Sequence, residues 1–303
     1  MKFIVYNILW KYVKARTAMD AKFYILYNPH AGNGGSEAAA KSLASSAKYE
    51  NSEIVAMTDI KSYSEFFADK TDASVIICGG DGTLNRFVNE ADGVAHGDVY
   101  YMASGSGNDF LRDLDVTEQS EPILINKYIE KLPVCEVNGK KYKVLNGVGY
   151  GIDGYCCMMG DAMKAQKVEK IDYTAIAIGG LLGKYKTCGG TVTVDGESHT
   201  YKKIWLAPAM NGRYYGGGMM PCPDQDRLGG EGIVSCCVFH DTSKLGTLMI
   251  FPSLFKGEHV KHEKKVEVRS GKHITVEFDS PRPLQIDGET IKGVTKFSLY
   301  YQD

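Results

Sequence analysis

The sequence has almost no net charge and no excess of basic residues. Its 35 lysines and arginines are balanced by 37 aspartates and glutamates, which gives a formal net charge of −2. Nucleic-acid binding usually rests on a basic field that attracts phosphates. We therefore expect no nucleic-acid partner. The chain also lacks an apolar run of the about eighteen residues that a helix needs to cross a bilayer.

The cysteine pattern excludes a disulfide scaffold and a zinc site. The eight cysteines form no C-x-x-C pair and have no zinc-ligand spacing. A chain of 303 residues, 44% of them hydrophobic, can bury a substantial core and does not depend on disulfides for stability. We expect reduced, structural thiols in a cytosolic globular protein.

The P-loop pattern G-x-x-x-x-G-K-[ST] is missing from the sequence, and none of the three glycine-rich segments described next completes the dinucleotide-binding pattern G-x-G-x-x-G. The chain has instead three glycine-rich segments, each after a short apolar run. They are NPHAGNGGS (28–36), GGDGTLN (79–85) and ASGSGNDF (103–110). Glycines at the start of a helix let backbone N–H groups approach a phosphate. The segments therefore indicate a nucleotide site of another kind.

The first part of the chain alternates strand and helix patterns. Apolar runs at 22–27, 53–58 and 73–78 are typical of buried parallel strands, and helical patterns separate them. This succession predicts a parallel sheet whose ligands bind at the carboxyl ends of the strands. The three glycine-rich segments would then lie at one edge of the sheet and line one nucleotide site.

The later part of the chain consists mainly of short β patterns. Asn138-Gly139 is a strong hairpin signal, and one apolar helical stretch interrupts the strands at 168–185. We place the domain boundary near Pro133. The resulting domains are an α/β nucleotide-binding domain at 22–133 and a mainly β-sandwich domain at 134–303.

Residues 1–21 form an N-terminal extension. Lys2 precedes an apolar run at 3–10, and further basic residues follow this run without the small-residue cleavage site of a signal peptide. Three interpretations stay open: a short cationic amphipathic helix, a start codon placed too early, or a membrane-surface anchor.

Five ordered motifs resemble those of the diacylglycerol kinase catalytic-domain family, which includes bacterial lipid kinases and the sphingosine and ceramide kinases. They are NPHAGNGG, GGDGTLN, GSGNDFLR, NGRYYGGGM (211–219) and LQIDGET (284–290). The resemblance extends from Lys22 to the end of the chain. It implies an ATP- and Mg²⁺-dependent kinase. The implied fold is an α/β domain resembling those of NAD kinase and phosphofructokinase, followed by a mainly β-sandwich domain.

The resemblance also implies roles for individual residues. In the last motif, Glu289 matches the residue proposed to accept the proton of the lipid hydroxyl, and Asp287 lies two positions before it. Asp81 is a third catalytic candidate, which could orient Mg²⁺ or the nucleophile. The implied nucleotide-binding residues are Asn28, Pro29, Gly32, Thr58, Gly79, Gly80, Asp81, Gly82, Thr83, Asn85, Gly105, Ser106, Gly107, Asn108 and Asp109.

The dipeptide Asp287-Gly288 has a second interpretation, because Asp-Gly also makes tight hairpin turns. A second Asp-Gly-Glu, at 195–197, lies within an ordinary hairpin pattern, and we interpret that copy as a turn. The sequence therefore does not decide whether Asp287 has a chemical or a structural role.

Two positions depart from the family pattern. Arg86 stands where a glutamate usually begins the helix, and Glu90 lies one turn further on. Near the C-terminal half, Glu231-Gly232 replaces the usual Asp-Gly of a structural Mg²⁺ site. The corresponding ligand set, for which a plain turn is the alternative, is Leu228, Glu231 and Ile233.

We expect a lipid kinase that acts peripherally at the inner face of the membrane, with diacylglycerol as the leading substrate. A sphingoid base, phosphatidylglycerol, NAD, and a nucleotide-binding sensor without catalysis are the alternatives. The apolar stretches 173–185 and 244–257 are candidates for core or for acyl-chain contact. The basic run 256–265 is a candidate for headgroup contact or a solvated loop. No obligate protein partner is evident, and a homodimer stays open.

Overall fold

The computed structural model describes residues 23–31, 34–94, 96–105, 108–117, 119–168 and 171–302. The N-terminal extension and the predicted site residues Gly32, Ser106 and Gly107 lie outside the described residues. The chain forms two compact units. Among the described residues, the N-terminal unit comprises 23–105 and 119–126, and the C-terminal unit comprises 108–117 and 127–302. Residues 108–117 thus belong with the later part of the chain, although they precede the predicted boundary.

The N-terminal unit contains a five-stranded sheet in the order β2-β1-β3-β4-β5. Strands β1 to β4 are parallel, as the sequence predicts, and β5 is antiparallel to β4. The strands are β1 (Phe23–Tyr27), β2 (Glu53–Ala56), β3 (Ser74–Gly79), β4 (Val99–Ala103) and β5 (Ile123–Leu124). The helices are α1 (Gly35–Ala44), α2 (Tyr63–Phe67) and α3 (Asp81–Glu90). A short 3₁₀ turn spans Met57–Asp59.

The continuous apolar runs form the strands because both faces of this sheet are covered. Every residue of β3 is buried. Ile25 of β1 and Ile76 of β3 form one core cluster with Ala40 and Leu43 of α1. This packing fixes the strand ends from which the glycine-rich segments emerge.

The C-terminal unit is built on a ten-stranded sheet. Its strands are β6 (Val134–Val137), β7 (Lys140–Lys143), β8 (Gly147–Tyr150), β9 (Cys188–Val194), β10 (Glu197–Leu206), β11 (Ala209–Met210), β12 (Val234–His240), β13 (Val266–Gly271), β14 (His273–Ile286) and β15 (Glu289–Tyr300). Strand β9 pairs with both β10 and β14, so that β14, β8, β11, β12, β10 and β9 close into a ring. The predicted mainly β-sandwich architecture is confirmed.

The remaining helices are α4 (Asp109–Asp113), α5 (Asn126–Ile129), α6 (Ile152–Ala165), α7 (Tyr173–Gly179) and α8 (Lys244–Ile250). Residues of α6, α7 and α8 share one core cluster with Trp205 of β10 and Cys237 of β12, so these three helices cover one side of the sheet. A π turn at Gly180–Lys184 continues α7, and 3₁₀ segments at Phe251–Lys256 and Glu258–Lys261 follow α8. The helical stretch predicted at 168–185 contains α7 and the π turn. The sequence interpretation missed α6, which is rich in glycine, cysteine and methionine and has no strong helix signal.

Neighbouring residues of β12 enter two different cores. Cys236 packs inside the ring of strands with Val148 and Val192, whereas Cys237 packs in the cluster beneath the helices with Trp205. Alternation along a strand produces this division because successive side chains point to opposite faces. All eight cysteines are free thiols, as predicted. In the part of the chain that the structure describes, no helix has the length and apolar character needed to cross a membrane.

Candidate active site

The sheet of the N-terminal unit brings four predicted strand-end segments to one edge. Thr58 follows β2, Asn28 follows β1, Gly80 follows β3 and Gly105 follows β4 by two residues. These four strands are parallel and adjacent in the sheet. Their carboxyl ends therefore lie side by side, where α/β sheets commonly bind ligands.

The turn between β3 and α3 has the form of a phosphate-binding turn. A Cβ atom on Gly79 would lie 2.4 Å from the Cβ of Thr83, so only glycine fits there. A Cβ on Gly82 would meet no atom within 4 Å, which leaves the outer side of the turn open. The ten-residue helix α3 begins at Asp81. The unpaired backbone N–H groups at such a helix start favour an anion.

Hydrogen bonds hold three of these loops together. The Ser104 N–H donates to the Gly79 carbonyl at 3.0 Å, and the Ser104 hydroxyl donates to Ser36 Oγ at 3.1 Å. The Ser36 hydroxyl in turn donates to the Ala31 carbonyl at 3.4 Å. Ser36 and Ser104 were not predicted as site residues, because a lone serine in a loop carries no signal of its own.

The predicted nucleotide-binding side chains differ in accessibility. Asn28 and Asp81 are partly exposed, and Asn28 Oδ1 accepts a hydrogen bond from the His30 N–H at 3.0 Å. Thr58 is exposed. Thr83 and Asn85 are buried on the inner side of α3, and we infer that they pack the turn instead of facing solvent.

Arg86, the departure from the family pattern, forms an ion pair with Glu90. Its Nε lies 2.7 Å from Glu90 Oε1, and both side chains are roughly 40% exposed. Since an arginine already pairs with the carboxylate of Glu90, that residue is a poor substitute for the missing acid. Exposed pairs of this kind contribute only about 0.3–0.5 kcal/mol to helix stability.

The third glycine-rich motif is divided between the two units. A Cβ on Gly105 would lie 3.2 Å from the Gly80 Cα within the N-terminal unit, whereas Asn108 and Asp109 belong to the C-terminal unit. Asp109 Oδ2 accepts a hydrogen bond from the Gly217 N–H at 2.7 Å. Burial raises the pKa of Asp109 above its ordinary range. The expectation that all three motifs line one sheet edge therefore holds for the first two and for the start of the third.

The motif at 211–219 contacts α4. Gly218 has a φ of 105°, and a Cβ there would lie 1.9 Å from Arg112 Nη1. The buried carboxylate of Asp113 accepts hydrogen bonds from Arg213 through its N–H at 2.9 Å and its Nε at 3.0 Å. Arg227 Nε donates to the other oxygen of Asp113. A cluster of one acid and two arginines, of which Asp113 and Arg227 are buried and Arg213 is partly exposed, therefore joins the end of α4 to the motif at 211–219.

The sequence interpretation missed Asp113, Arg213 and Arg227 as a cluster. Arg227 also reaches the segment before β8, where its Nη1 donates to the Leu145 carbonyl at 3.2 Å and its Nη2 donates to Asn146 Oδ1 at 3.0 Å. Asp113 and Arg227 are separated by 114 positions in the chain. No local pattern could have paired them.

The last motif forms the hairpin between β14 and β15. Asp287 and Gly288 both have positive φ, at 46° and 99°, as expected for a tight two-residue turn. The Asp287 carboxylate accepts hydrogen bonds from three backbone N–H groups: Leu145 at 2.7 Å, Asn146 at 2.8 Å and Gly147 at 3.0 Å. This geometry favours a structural role for Asp287.

Glu289 begins β15 and has an exposed side chain. Among the described residues, its carboxylate has no hydrogen-bond partner. The next residue, Thr290, donates a hydrogen bond to Asp161 Oδ2 of α6 at 2.7 Å. The pKa of Cys157 on α6 is raised to about 12, chiefly by burial and partly by nearby charges that include Glu289. The Glu289 carboxylate therefore lies beside α6.

The second Asp-Gly-Glu folds into the same kind of turn. Asp195 and Gly196 have φ of 49° and 90°. The Asp195 carboxylate accepts hydrogen bonds from the N–H groups of Lys272 at 3.1 Å and His273 at 2.8 Å. Glu197, however, lies 2.9 Å from His199 Nε2. The two copies share the turn and differ in the surroundings of the glutamate.

The predicted Mg²⁺ ligands Leu228, Glu231 and Ile233 lie in the segment before β12, and Glu231 is the only one with a carboxylate. Glu231 is exposed, and the Ile233 carbonyl already accepts a hydrogen bond from Gln225 Nε2 at 2.9 Å. Mg²⁺ requires near-octahedral oxygen coordination. Within the described ranges, no group of three or more His, Cys, Asp or Glu residues could hold a metal ion. The three-residue assignment stays a prediction.

Both units match known protein families. Residues 22–137 match the diacylglycerol kinase catalytic domain. Residues 146–297 match the YegS C-terminal NAD kinase beta sandwich-like domain. The two matches follow one another along the chain.

Individual relatives are distant but extend over most of the chain. A diacylglycerol kinase of Mycobacterium tuberculosis is 24% identical over 273 residues, which cover 86% of this chain and 85% of the relative. A candidate lipid kinase of Staphylococcus epidermidis is 27% identical over 298 residues, covering 88% and 89%. The crystal structure of a candidate diacylglycerol kinase from Bacillus anthracis shares the fold, with a TM-score of 0.67, 20% identity and coverage of 93% and 92%.

Proposed function

Because the chain belongs to the diacylglycerol kinase catalytic-domain family of lipid kinases, we propose that it transfers the γ-phosphate of ATP to the hydroxyl of diacylglycerol, giving phosphatidic acid. The observation that carries this proposal is the open glycine turn at the start of α3. It lies at the sheet edge where the other strand-end segments meet.

We assign the triphosphate of ATP to this turn. The helix N-terminus supplies backbone donors and a favourable dipole, and Gly82 leaves room for a phosphate to approach. Asn28, Pro29 and Gly80 are partly exposed at the same edge. Asp81 is the acidic side chain of the first turn of α3 and is the residue we place nearest the phosphates. Mg²⁺ bound with the nucleotide would offset part of the phosphate charge.

Glu289 is the group we propose as proton acceptor from the lipid hydroxyl. Its exposed carboxylate is unpaired among the described residues, whereas the Asp287 carboxylate is occupied by three N–H donors. A positioned general base typically contributes about 10²- to 10⁴-fold to the rate. Asp287 would hold the hairpin that carries Glu289, so it is a positioning residue in this scheme.

The test is the transfer of label from γ-labelled ATP with Mg²⁺ into a panel of lipid hydroxyls in mixed micelles. The panel contains diacylglycerol, phosphatidylglycerol and sphingosine, with NAD alongside. We expect label in diacylglycerol and a loss of about 10²-fold or more for Glu289→Gln, with ATP binding retained. The matched control is Glu197→Gln, in the second copy of the turn, which should remain active.

Each other outcome points to a different conclusion. Label in NAD would mean that the substrate class is wrong, and label in another lipid would replace diacylglycerol as the substrate. ATP binding without transfer to any acceptor would indicate a nucleotide-binding sensor. Equal losses in Glu289→Gln and Glu197→Gln would exclude Glu289 as a specific base.

A diacylglycerol kinase must reach its substrate in a bilayer. We therefore also propose that the protein works at a membrane surface. The cytoplasmic face is the side on which ATP is available.

A further inference from the structure

The C-terminal unit exposes apolar side chains that its fold does not use. The three most exposed large hydrophobic residues of the described chain are Met249 at 75%, Leu245 at 66% and Leu182 at 59%. We call these three residues the apolar face. Exposed apolar groups in soluble proteins are usually scattered singly, and a cluster marks a site of interaction.

The three residues are neighbours in the structure. Leu245 and Met249 are four positions apart on α8 and therefore lie on the same side of the helix. Leu182 belongs to the π turn at Gly180–Lys184, which packs against α8. Lys244 Nζ donates to the Leu182 carbonyl at 3.2 Å and joins the two segments.

The opposite side of the same segments is anchored in the core. Thr247 and Ile250 of α8 and Leu181 of the π turn are all buried. Ser243 caps α8 by accepting a hydrogen bond from the Gly246 N–H at 3.1 Å. The apolar face is therefore presented by ordered elements whose inner sides are fixed. Its exposure does not result from a poorly packed loop.

The charge beside the face favours an anionic lipid surface. Residues 244–265 contain five lysines and two glutamates, which gives +3, although the whole chain carries −2. Lys244, Lys256, Lys261 and Lys264 are exposed. The segment has no arginine, tyrosine or tryptophan. Protein interfaces are depleted in lysine and enriched in those three residues, whereas lysines around apolar side chains are typical of segments that lie on membranes.

The face is also connected to the hairpin that carries Glu289. The π turn and α7 pack on α6, and α6 packs on β14 and β15. Thr290, next to Glu289, donates its hydrogen bond to Asp161 on α6. One helix thus lies between the apolar face and the proposed base.

We infer that Leu182, Leu245 and Met249 insert into the surface of an anionic bilayer while the neighbouring lysines contact its headgroups. This inference rests on the proposed function, because a lipid kinase has to dock on the membrane that holds its substrate. According to this inference, the apolar stretches at 173–185 and 244–257 each contain both core residues and residues that contact lipid.

The first experiment measures sedimentation with vesicles of phosphatidylcholine, with and without phosphatidylglycerol, and without ATP. Wild-type protein should bind the anionic vesicles, and salt should weaken the binding. Leu245→Gln/Met249→Gln should bind at least about tenfold more weakly. The matched control is Leu124→Gln, which removes an apolar side chain that is 46% exposed in the other unit. Wild-type binding by the double variant would overturn the inference.

The lysines are tested in the same assay. Lys256→Gln/Lys264→Gln should lower binding to anionic vesicles and leave the weaker binding to neutral vesicles unchanged. Lys140→Gln/Lys202→Gln removes two exposed lysines elsewhere in the same unit and should have no effect. Equal effects of the two pairs would mean that only total charge matters, which contradicts a specific face.

A tryptophan variant distinguishes direct contact with the bilayer from loss of binding through misfolding. Met249→Trp keeps an apolar side chain on the face, and brominated acyl chains should quench its fluorescence more than that of the wild-type protein, which contains Trp10 and Trp205. Leu124→Trp should be quenched no more than the wild type. Equal quenching at the two positions, or a concentration-dependent dimer abolished by Leu245→Gln/Met249→Gln, would assign the face to another partner and overturn the inference.

Kinase activity on a short-chain diacylglycerol in detergent micelles separates this inference from the proposed function. Leu245→Gln/Met249→Gln and Lys256→Gln/Lys264→Gln should keep wild-type activity in this assay, because the substrate is delivered without a bilayer. If neither the wild type nor these variants transfer phosphate, but the variants still bind vesicles more weakly than the wild type, the inference about the apolar face holds and the kinase proposal fails.

Discussion

The substitution Asp287→Asn separates a positioning role from a chemical role at the Asp-Gly-Glu turn. Asparagine tolerates the positive φ of 46° at this position, so the backbone of the turn is not strained. The change removes the charge and converts one carboxylate oxygen into an NH₂ group. Asp287 Oδ1 accepts from Asn146 and Gly147, and Oδ2 accepts from Leu145. In asparagine, one donor would therefore face another donor.

The size of the effect follows from these three bonds. A hydrogen bond to a charged group contributes about 1.5–3 kcal/mol, and a donor left without an acceptor adds a cost of its own. Asp287 is partly exposed, so water can replace part of the loss. We expect Asp287→Asn to lower the free energy of unfolding of the C-terminal unit by about 2–4 kcal/mol. Asp195→Asn, which affects two exposed N–H groups, should cost about 1 kcal/mol.

The assay is urea unfolding followed by the fluorescence of Trp205, which is buried in the C-terminal unit, together with steady-state kinetics. We expect Asp287→Asn to lower kcat because the Glu289 hairpin shifts, while KM for ATP stays unchanged and Asp195→Asn keeps full activity. Loss of activity at wild-type stability would refute the positioning role and assign chemistry to Asp287. Equal destabilisation by both variants would refute the magnitude derived from the bonds.

Two further predictions concern a buried acid and a buried glycine. Burial raises the pKa of Asp153 from 3.8 to about 7, and the Tyr215 hydroxyl donates to its Oδ2 at 2.6 Å. The folded protein then binds more protons than the unfolded chain between those pH values, so this group's contribution to stability falls by about 4 kcal/mol as pH rises from about 4 to 7. Asp153→Asn should flatten that part of the curve of unfolding free energy against pH, and an unchanged curve would show that Asp153 is not its source. The Cβ of Gly79→Ala would collide with Thr83, so this change should displace the start of α3 and weaken ATP binding measured by calorimetry. The Cβ of Gly82→Ala would meet open space, so this variant should stay folded. Similar losses of stability in the two variants would refute the packing argument.

Several features could be predicted because their signals are local. The apolar runs of β1 and β3 predict buried strands, and their succession with helices predicts a parallel sheet. Asn138-Gly139 and Asp195-Gly196 predict hairpins because both dipeptides adopt positive φ easily, and all four residues do so. Helix α6 was missed because its glycines and cysteines are poor helix formers, and packing against β14 stabilises it instead.

The apolar stretches show that sequence patterns do not predict which apolar residues are buried. Within 244–250, Ile250 is buried and Met249 is 75% exposed, although the two residues are adjacent and both are apolar. Composition gives the same prediction for both. Their difference arises from the direction in which α8 lies on the sheet, which only packing determines.

By itself, the sequence determined the parallel sheet, the hairpins and the family motifs, because each depends on residues close together in the chain. Only the tertiary structure decided what the two Asp-Gly-Glu turns do. Both aspartates bind backbone N–H groups, but Glu197 pairs with His199, whereas Glu289, beside α6, has no partner among the residues that the structure describes. The tertiary structure also joined Asp113 to Arg227 across 114 positions. Contacts of this kind depend on how distant segments pack, and a sequence pattern contains no information about that packing.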